Sequence, residues 1–159
     1  MKITIAAVGK LKEAYLRDGV AEFQKRIAPF AQLNIIEVNE EKIGEHPSES
    51  ERRQHLSKEG ARLLERLPKD ALPIALDVHG EIISSEELSR RMDDYALHGE
   101  SHIAFIIGGA FGLGDNVRQK AKWRWSFSKL TFTHQMVRLL LTEQIYRAFK
   151  ISRNEKYHW

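Results

Sequence analysis

Apolar residues follow two alternating periods along the chain. Ile3 to Val8 is a short, near-continuous apolar run, the pattern of a strand covered on both faces, and Gly9 breaks it. Leu16, Val20, Phe23 and Ile27 recur at spacings of four, three and four, which predicts an amphipathic helix ended by Pro29. Leu33 to Val38 is a second, β-branched strand, and Asn39 to Pro47 is a polar, acidic loop with no apolar period. Ser48 with Glu51 forms a capping box for a helix reaching Leu67. Its apolar positions (Leu56, Leu63, Leu64, Leu67) are sparse in the first half, so that half is expected to project into solvent. Pro68 and Pro73 bracket a turn around the start of a third strand, Leu72 to Val78, predicted to end in Asp77-Val78-His79-Gly80.

A second capping box, Ser84 with Glu87, opens a helix that buries Leu88, Met92 and Tyr95 and stops at Gly99. A fourth strand, His102 to Ile107, runs straight into GGAFGLGD and a short helix over Asp115 to Lys122. The stretch Trp125 to Lys150 begins as an alternating strand, with Trp125 and Phe127 on one face and Ser126 and Ser128 on the other. After a Thr131-Phe132-Thr133 turn it becomes the most apolar helix in the chain. Five strands alternating with five helices predict an α/β fold in one domain, residues 1–159. Its sheet should be mainly parallel, of five to six strands, with helices on both faces. Ligands gather at the carboxyl ends of such strands, and the loops after strands three, four and five are the chemically unusual ones.

The last helix is too apolar for one face. Met136, Val137, Leu139, Leu140, Leu141, Ile145, Tyr146, Ala148 and Phe149 exceed the roughly 100° stripe that a surface helix requires. A sheet face covers only part of them, which predicts a homodimer built around this helix. Glu143 and Arg147 stand at i,i+4 within it.

Composition narrows the class. Hydrophobic content of 42% with 30% charged residues argues against disorder. No apolar run approaches the roughly 20 residues that span a bilayer. The start, MKITIAAVGK, reads as a buried strand rather than a targeting segment. Zero cysteines exclude disulfides and thiolate metal sites and fit a reducing cytoplasm, so a soluble cytoplasmic protein with no membrane partner is expected. Residues 118–159 carry ten Lys/Arg against two Asp/Glu, whereas residues 1–117 carry fifteen against twenty. That asymmetry points to a polyanionic partner on the C-terminal third, or else to solvated helix faces.

The motifs exclude more than they assign. Gly108-Gly109-Ala110-Phe111-Gly112-Leu113-Gly114 lacks the G-x-G-x-x-G spacing, and Asp115-Asn116 replaces the Lys-Ser/Thr of a phosphate loop. It is either a close ligand approach or a tight strand-to-helix turn. His98 and His102 are four apart, but Gly99 and a strand start intervene, so no metal site is predicted. No serine sits in a G-x-S-x-G turn. Asp77 at a strand end is an acid/base candidate or a turn cap. Trp123 and Trp125 alternate with Lys122 and Arg124, which suits base stacking beside phosphates, or a sheet-edge or subunit contact.

A strand ending IIGGAFG, then SFSKLTFTHQ, RLLLTEQIYRAFKI and a terminal YH resemble the ribosomal RNA large subunit methyltransferase H family of SPOUT methyltransferases. The resemblance covers the whole chain, including MKITIAAVGKLKEAY. It implies a SPOUT-type fold with a C-terminal trefoil knot, an obligate homodimer and S-adenosyl-L-methionine as methyl donor, with no metal. The implied substrate is N3 of a pseudouridine in helix 69 of 23S rRNA, presented by the ribosome. By position, the resemblance assigns cofactor binding to Leu76, Gly108, Phe127, Ser128, Lys129, Leu130, Thr131 and Phe132. It implies catalytic roles for Tyr157 and His158, His158 as base or as an orienting or phosphate-contacting group. RNA contacts are implied for Arg138, Arg147 and Lys156. The family it resembles usually ends Pro-Tyr-His-Lys or Pro-Tyr-His-Arg, whereas this chain has Lys156-Tyr157-His158-Trp159. The lost proline is expected to loosen the tail, and Trp159 is a candidate for stacking on a base. Two other readings stay open: a ribosome-binding or assembly factor that retains the fold, and a related knotted tRNA methyltransferase.

Overall fold

The computed structural model describes residues 1–158, so the stacking role considered for Trp159 lies outside the described residues. The elements run β1 (Lys2–Val8), α1 (Ala14–Ile27), β2 (Gln32–Val38), α2 (Glu49–Arg66), β3 (Leu72–Ile82), α3 (Ser85–Leu97), β4 (His102–Ile107), α4 (Asp115–Lys120), β5 (Trp123–Ser126) and α5 (His134–Ser152). The strands form one sheet in the order β2-β1-β4-β3-β5, and every neighbouring pair is parallel.

Burial on both faces explains the unbroken apolar strands. Ile3, Ile5 and Ala7 of β1 and Ile103, Phe105 and Ile107 of β4 join one core with Ile27, Leu88, Met92, Leu141, Ile145 and Ala148. Ala6, Val8, Ala75 and Ile106 face the other way and pack with Leu63 and Val117. The first core therefore lies under α1, α3 and α5, and the second under α2 and α4. Each fully buried Ile or Phe stabilises the fold by about 1.5–3 kcal/mol relative to exposure.

Both predicted N-caps form through the serine half of the box: Ser48 Oγ accepts from Glu51 N–H and Ser84 Oγ from Glu87 N–H, each at 3.1 Å. The first turn of α2 is exposed, in line with its sparse apolar pattern. Two strand boundaries differ from expectation. β3 runs on to Ile82, with a register shift between Leu76 and Glu81 against β5. Gly80 makes this possible, because a Cβ there would lie 2.6 Å from the Arg124 backbone. β5 begins at Trp123 and ends at Ser126, so Phe127 and Ser128 belong to the loop that follows.

The breadth of the apolar surface on α5 has a cause within the chain. α1 packs along one side, with Leu139 against Gly19, where an added Cβ would approach to 2.8 Å. Phe30 stacks on Phe149 at 5.7 Å. α3 closes the other side, where Ser89 Oγ donates to the Ala148 carbonyl at 2.8 Å. The helix ends in a Schellman turn. Asn154 takes φ 54, Glu155 N–H bonds to Lys150 O and Asn154 N–H to Ile151 O, both at 2.9 Å.

Candidate active site

The carboxyl ends of β3, β4 and β5 and the first turn of α5 enclose a cavity of about 600 Å³. That size suits a cofactor-sized molecule. Its walls are chiefly apolar (Leu76, Ile107, Trp125, Phe127 and Val137), with the Gly108–Leu113 backbone on one side and Ser126, Ser128 and Leu130–Thr133 on the other.

The glycine loop is both a tight turn and a wall. Gly112 N–H bonds back to Gly109 O at 3.1 Å, and Gly112 sits at φ +86. A Cβ on Gly108 would lie 2.2 Å from Gly112 O, so this position accepts no side chain without moving backbone. Phe111 at the tip is exposed, with the Arg52 guanidinium of α2 4.8 Å above its ring.

The loop after β5 is built from its own serines. Ser126 Oγ donates to Ser128 O at 2.9 Å, and Ser128 Oγ accepts from Leu130 N–H at 3.0 Å. Thr133 Oγ1 caps α5 by accepting from Met136 N–H at 3.2 Å. Buried Trp125 forms the floor and meets Phe127 edge-on at 4.7 Å. Leu130 at 70% exposed and Phe132 at 41% leave an apolar rim open.

Of the residues expected to bind a cofactor, Leu76, Gly108, Phe127, Ser128, Leu130, Thr131 and Phe132 line this cavity, and Lys129 does not. The sequence reading missed Arg118 and His134, which also line it, and it left Asp77 undecided. Asp77 is a buried hub: its Oδ1 accepts from His79 N–H at 3.0 Å, Arg118 Nε donates to Oδ2 at 2.8 Å, and Arg124 Nη1 reaches the same oxygen at 3.4 Å. Burial pushes this carboxyl up, but the His79 N–H and the two guanidinium groups prevail and hold it below the ordinary aspartate value. Burial pushes His134 the other way, below the ordinary histidine value, assisted by the positive charges of Arg138 and Lys12 and opposed by Glu40. His134 therefore faces the cavity as a neutral imidazole at neutral pH.

The residues expected to contact RNA take different positions. Arg138, expected to reach RNA, is 2% exposed, pairs with Glu37 and donates to the Gly9 carbonyl at 3.0 Å. It is a cation buried within the chain, paired internally. Arg147 is half-buried and held by Glu143 at 2.5 Å, whereas Lys156 is exposed. The basic C-terminal third spends much of its charge internally: Arg118 and Arg124 on Asp77, Arg138 on Glu37, Arg147 on Glu143 and Lys150 on Glu155.

Tyr157 and His158 do not line the cavity, and among the described residues none after Val137 does. The Tyr157 hydroxyl donates to Glu143 Oε1 at 3.0 Å, its ring meets Tyr146 edge-on at 4.7 Å, and Arg147 lies over it at 4.8 Å. Burial raises the Tyr157 pKa, and the Glu143 carboxylate raises it further, so the phenol keeps its proton. His158 Nδ1 lies 3.3 Å from Arg147 Nη1, and Nε2 lies 2.6 Å from Glu86 Oε1. Arginine only donates, so Nδ1 accepts and Nε2–H donates to Glu86. These contacts dock the tail on α5 and α3.

Comparison with known proteins agrees with this geometry. The family model described as "Predicted SPOUT methyltransferase" matches residues 1–158. Proteins named ribosomal RNA large subunit methyltransferase H from Bifidobacterium adolescentis and Bacillus pumilus are each 48% identical over 158 residues, covering 99% of both chains. That from Carboxydothermus hydrogenoformans is 47% identical with the same coverage. A solved structure titled a "probable methylase family protein" from Haemophilus influenzae superposes with a TM-score of 0.55. It is 14% identical and covers 99% of this chain and 70% of its own, a likeness of fold. The chain belongs to the ribosomal RNA large subunit methyltransferase H family of SPOUT methyltransferases.

Proposed function

We propose that this protein methylates large-subunit ribosomal RNA with S-adenosyl-L-methionine as donor, at N3 of a pseudouridine in helix 69 of 23S rRNA on the ribosome. The observation that carries this is the cavity, because seven of the eight expected donor-binding residues line one space. Its apolar walls suit an uncharged adenine ring, and the glycine backbone, free of side chains at Gly108, allows close approach. When bound, the donor supplies an electrophilic methyl group on a sulfonium.

The chain's own part is positioning and the handling of one proton. Methyl transfer to a nitrogen is an in-line displacement, so alignment of the two reactants supplies much of the rate. The attacking imide nitrogen loses its proton as it reacts. Tyr157 holds its own proton too firmly to accept another and orients through its ring and hydroxyl. We assign proton acceptance to His158 at Nδ1, the nitrogen with the free lone pair, which must exchange Arg147 for the substrate while Nε2–H stays on Glu86.

The tail and the cavity stand apart within one chain, which supports a homodimer in which one protomer's tail completes its partner's cavity. The same reading includes the C-terminal trefoil knot around β3, β4 and β5 and residence in the cytoplasm with the ribosomes. The experiment is transfer of labelled methyl from S-adenosyl-L-methionine to ribosomes lacking the modification, followed by mass mapping of the rRNA. Methylation confined to one pseudouridine of helix 69 is expected. Donor binding without transfer to those ribosomes would refute the enzymatic reading and leave a ribosome-binding factor.

A further inference from the structure

The connection from β1 to α1, Gly9 to Glu13, lies beside the cavity but outside its wall. A Cβ built on Gly109 of the glycine loop would sit 3.3 Å from the Val8 side chain, so the two loops are neighbours at the carboxyl end of the sheet. The β1–α1 connection is fixed through its backbone. Gly9 turns at φ +82, its N–H bonds to Val38 O at 2.8 Å, and its carbonyl accepts from Arg138 Nη2 at 3.0 Å. Arg17 Nη1 donates to the carbonyls of Leu11 at 3.1 Å and Lys12 at 2.7 Å. Gln135 Oε1 accepts from Lys12 N–H at 3.0 Å.

That arrangement is costly. Arg138 is withdrawn from water to make it, and burying a charge is offset only when partners are well placed. Gln135 follows directly on His134 of the cavity and Arg138 stands one turn later, so the helix that shapes the cavity mouth also fixes this loop. Two of the acidic side chains nearby are matched, Glu37 with Arg138 and Glu41 with Arg62 and Lys58, whereas exposed Glu13 of the same connection and exposed Glu40 beside His134 have no ion pair among the described residues. Lys10 and Lys12 are exposed and have no ion-pair partner among the described residues. Lys12 is also close enough to His134 to help keep it neutral.

We infer that Lys10 and Lys12 form a preorganised phosphate clamp, in which two ammonium groups on a fixed loop hold the sugar–phosphate backbone of the RNA whose base enters the adjacent cavity. The inference rests on the ribosomal RNA reading above. Lysine is a compact point charge that needs no fixed hydrogen-bond geometry, so a rigid loop is what gives such contacts a defined register.

The test is equilibrium binding of the intact protein to large ribosomal subunits lacking the modification, across a potassium chloride series. Lys10→Ala/Lys12→Ala is compared with wild type and with Lys2→Ala/Lys25→Ala. The control removes equal charge at the opposite end, the start of β1 and the last turn of α1. Each phosphate contact contributes about 0.7–0.9 to the slope of log affinity against log salt, so the clamp variant should lose about 1.4–1.8. The control should keep the wild-type slope, and donor affinity should be unchanged in both variants. A wild-type slope in the clamp variant, or an equal loss in the control, overturns the inference. A loss seen on subunits but absent on protein-free rRNA would assign the lysines to an acidic ribosomal protein and also overturn it. Wild-type binding with the expected slope loss in the clamp variant but no methyl transfer would sink the enzymatic reading while the clamp stands.

Discussion

Arg118 Nε on α4 donates to Asp77 Oδ2 on β3 at 2.8 Å, and Arg124 Nη1 on β5 reaches the same oxygen at 3.4 Å. One carboxylate whose side chain is 2% exposed thus ties together three elements around the cavity. Removing a buried partner costs more than forming the pair gains, because the remaining charges lose their match. Asp77→Ala should therefore destabilise the protein by about 2–4 kcal/mol in urea unfolding and weaken donor binding in calorimetry. The pH dependence follows from the lowered carboxyl: the folded state holds the proton less tightly than the unfolded state. Its stabilisation is complete above the ordinary aspartate pKa of about 3.9 and is lost as pH falls below that. Asp77→Asn should flatten the wild-type loss of stability below about pH 4.

His134 carries the opposite burden. Burial lowers its pKa, so the unfolded chain takes up a proton here more readily than the folded one. Stability from this group is complete above the ordinary histidine pKa of about 6.5 and declines as pH falls from there to the folded value. The stability difference between wild type and His134→Gln, measured by urea unfolding from pH 8 to 5, should shift against wild type on acidification. A constant difference would contradict the burial argument.

Gly108 tests the cavity wall. The atom an added Cβ would meet, Gly112 O at 2.2 Å, is backbone and cannot rotate aside. Gly108→Ala should cost about 1–3 kcal/mol from overpacking. It should also reduce donor affinity more than its stability loss explains, as read by calorimetry on folded protein.

The tail should separate binding from turnover. Truncation after Asn154 removes Tyr157 and His158 but none of the described lining that a protomer gives its own cavity. Donor affinity should stay within about threefold of wild type, less than 1 kcal/mol, whereas methyl transfer to ribosomes should fall by at least about 100-fold. Equal losses of both would mean that the tail props the cavity instead of serving the reaction.

Much of the site was legible locally. SFSKLTF reads as a strand passing into a serine-rich turn, and the glycine cluster as a place of close approach, because both depend on neighbours within a few residues. Arg118 and Asp77, 41 positions apart, gave no such signal. The burial of Arg138 gave no local signal either. An arginine on the last helix looks like part of a basic face, but Glu37, 101 residues earlier, draws it into the interior.

The sequence by itself determined the alternation of strands and helices, the parallel α/β class, both serine N-caps and the family. Each rests on short-range periodicity or on motifs read along the chain. Only the tertiary structure decided which cations are spent on internal carboxylates, how α1 and α3 share the apolar surface of α5, and that the tail lies apart from its own cavity. Those outcomes depend on which distant side chains the sheet order brings within a few ångströms, where burial and charge pairing set the energy.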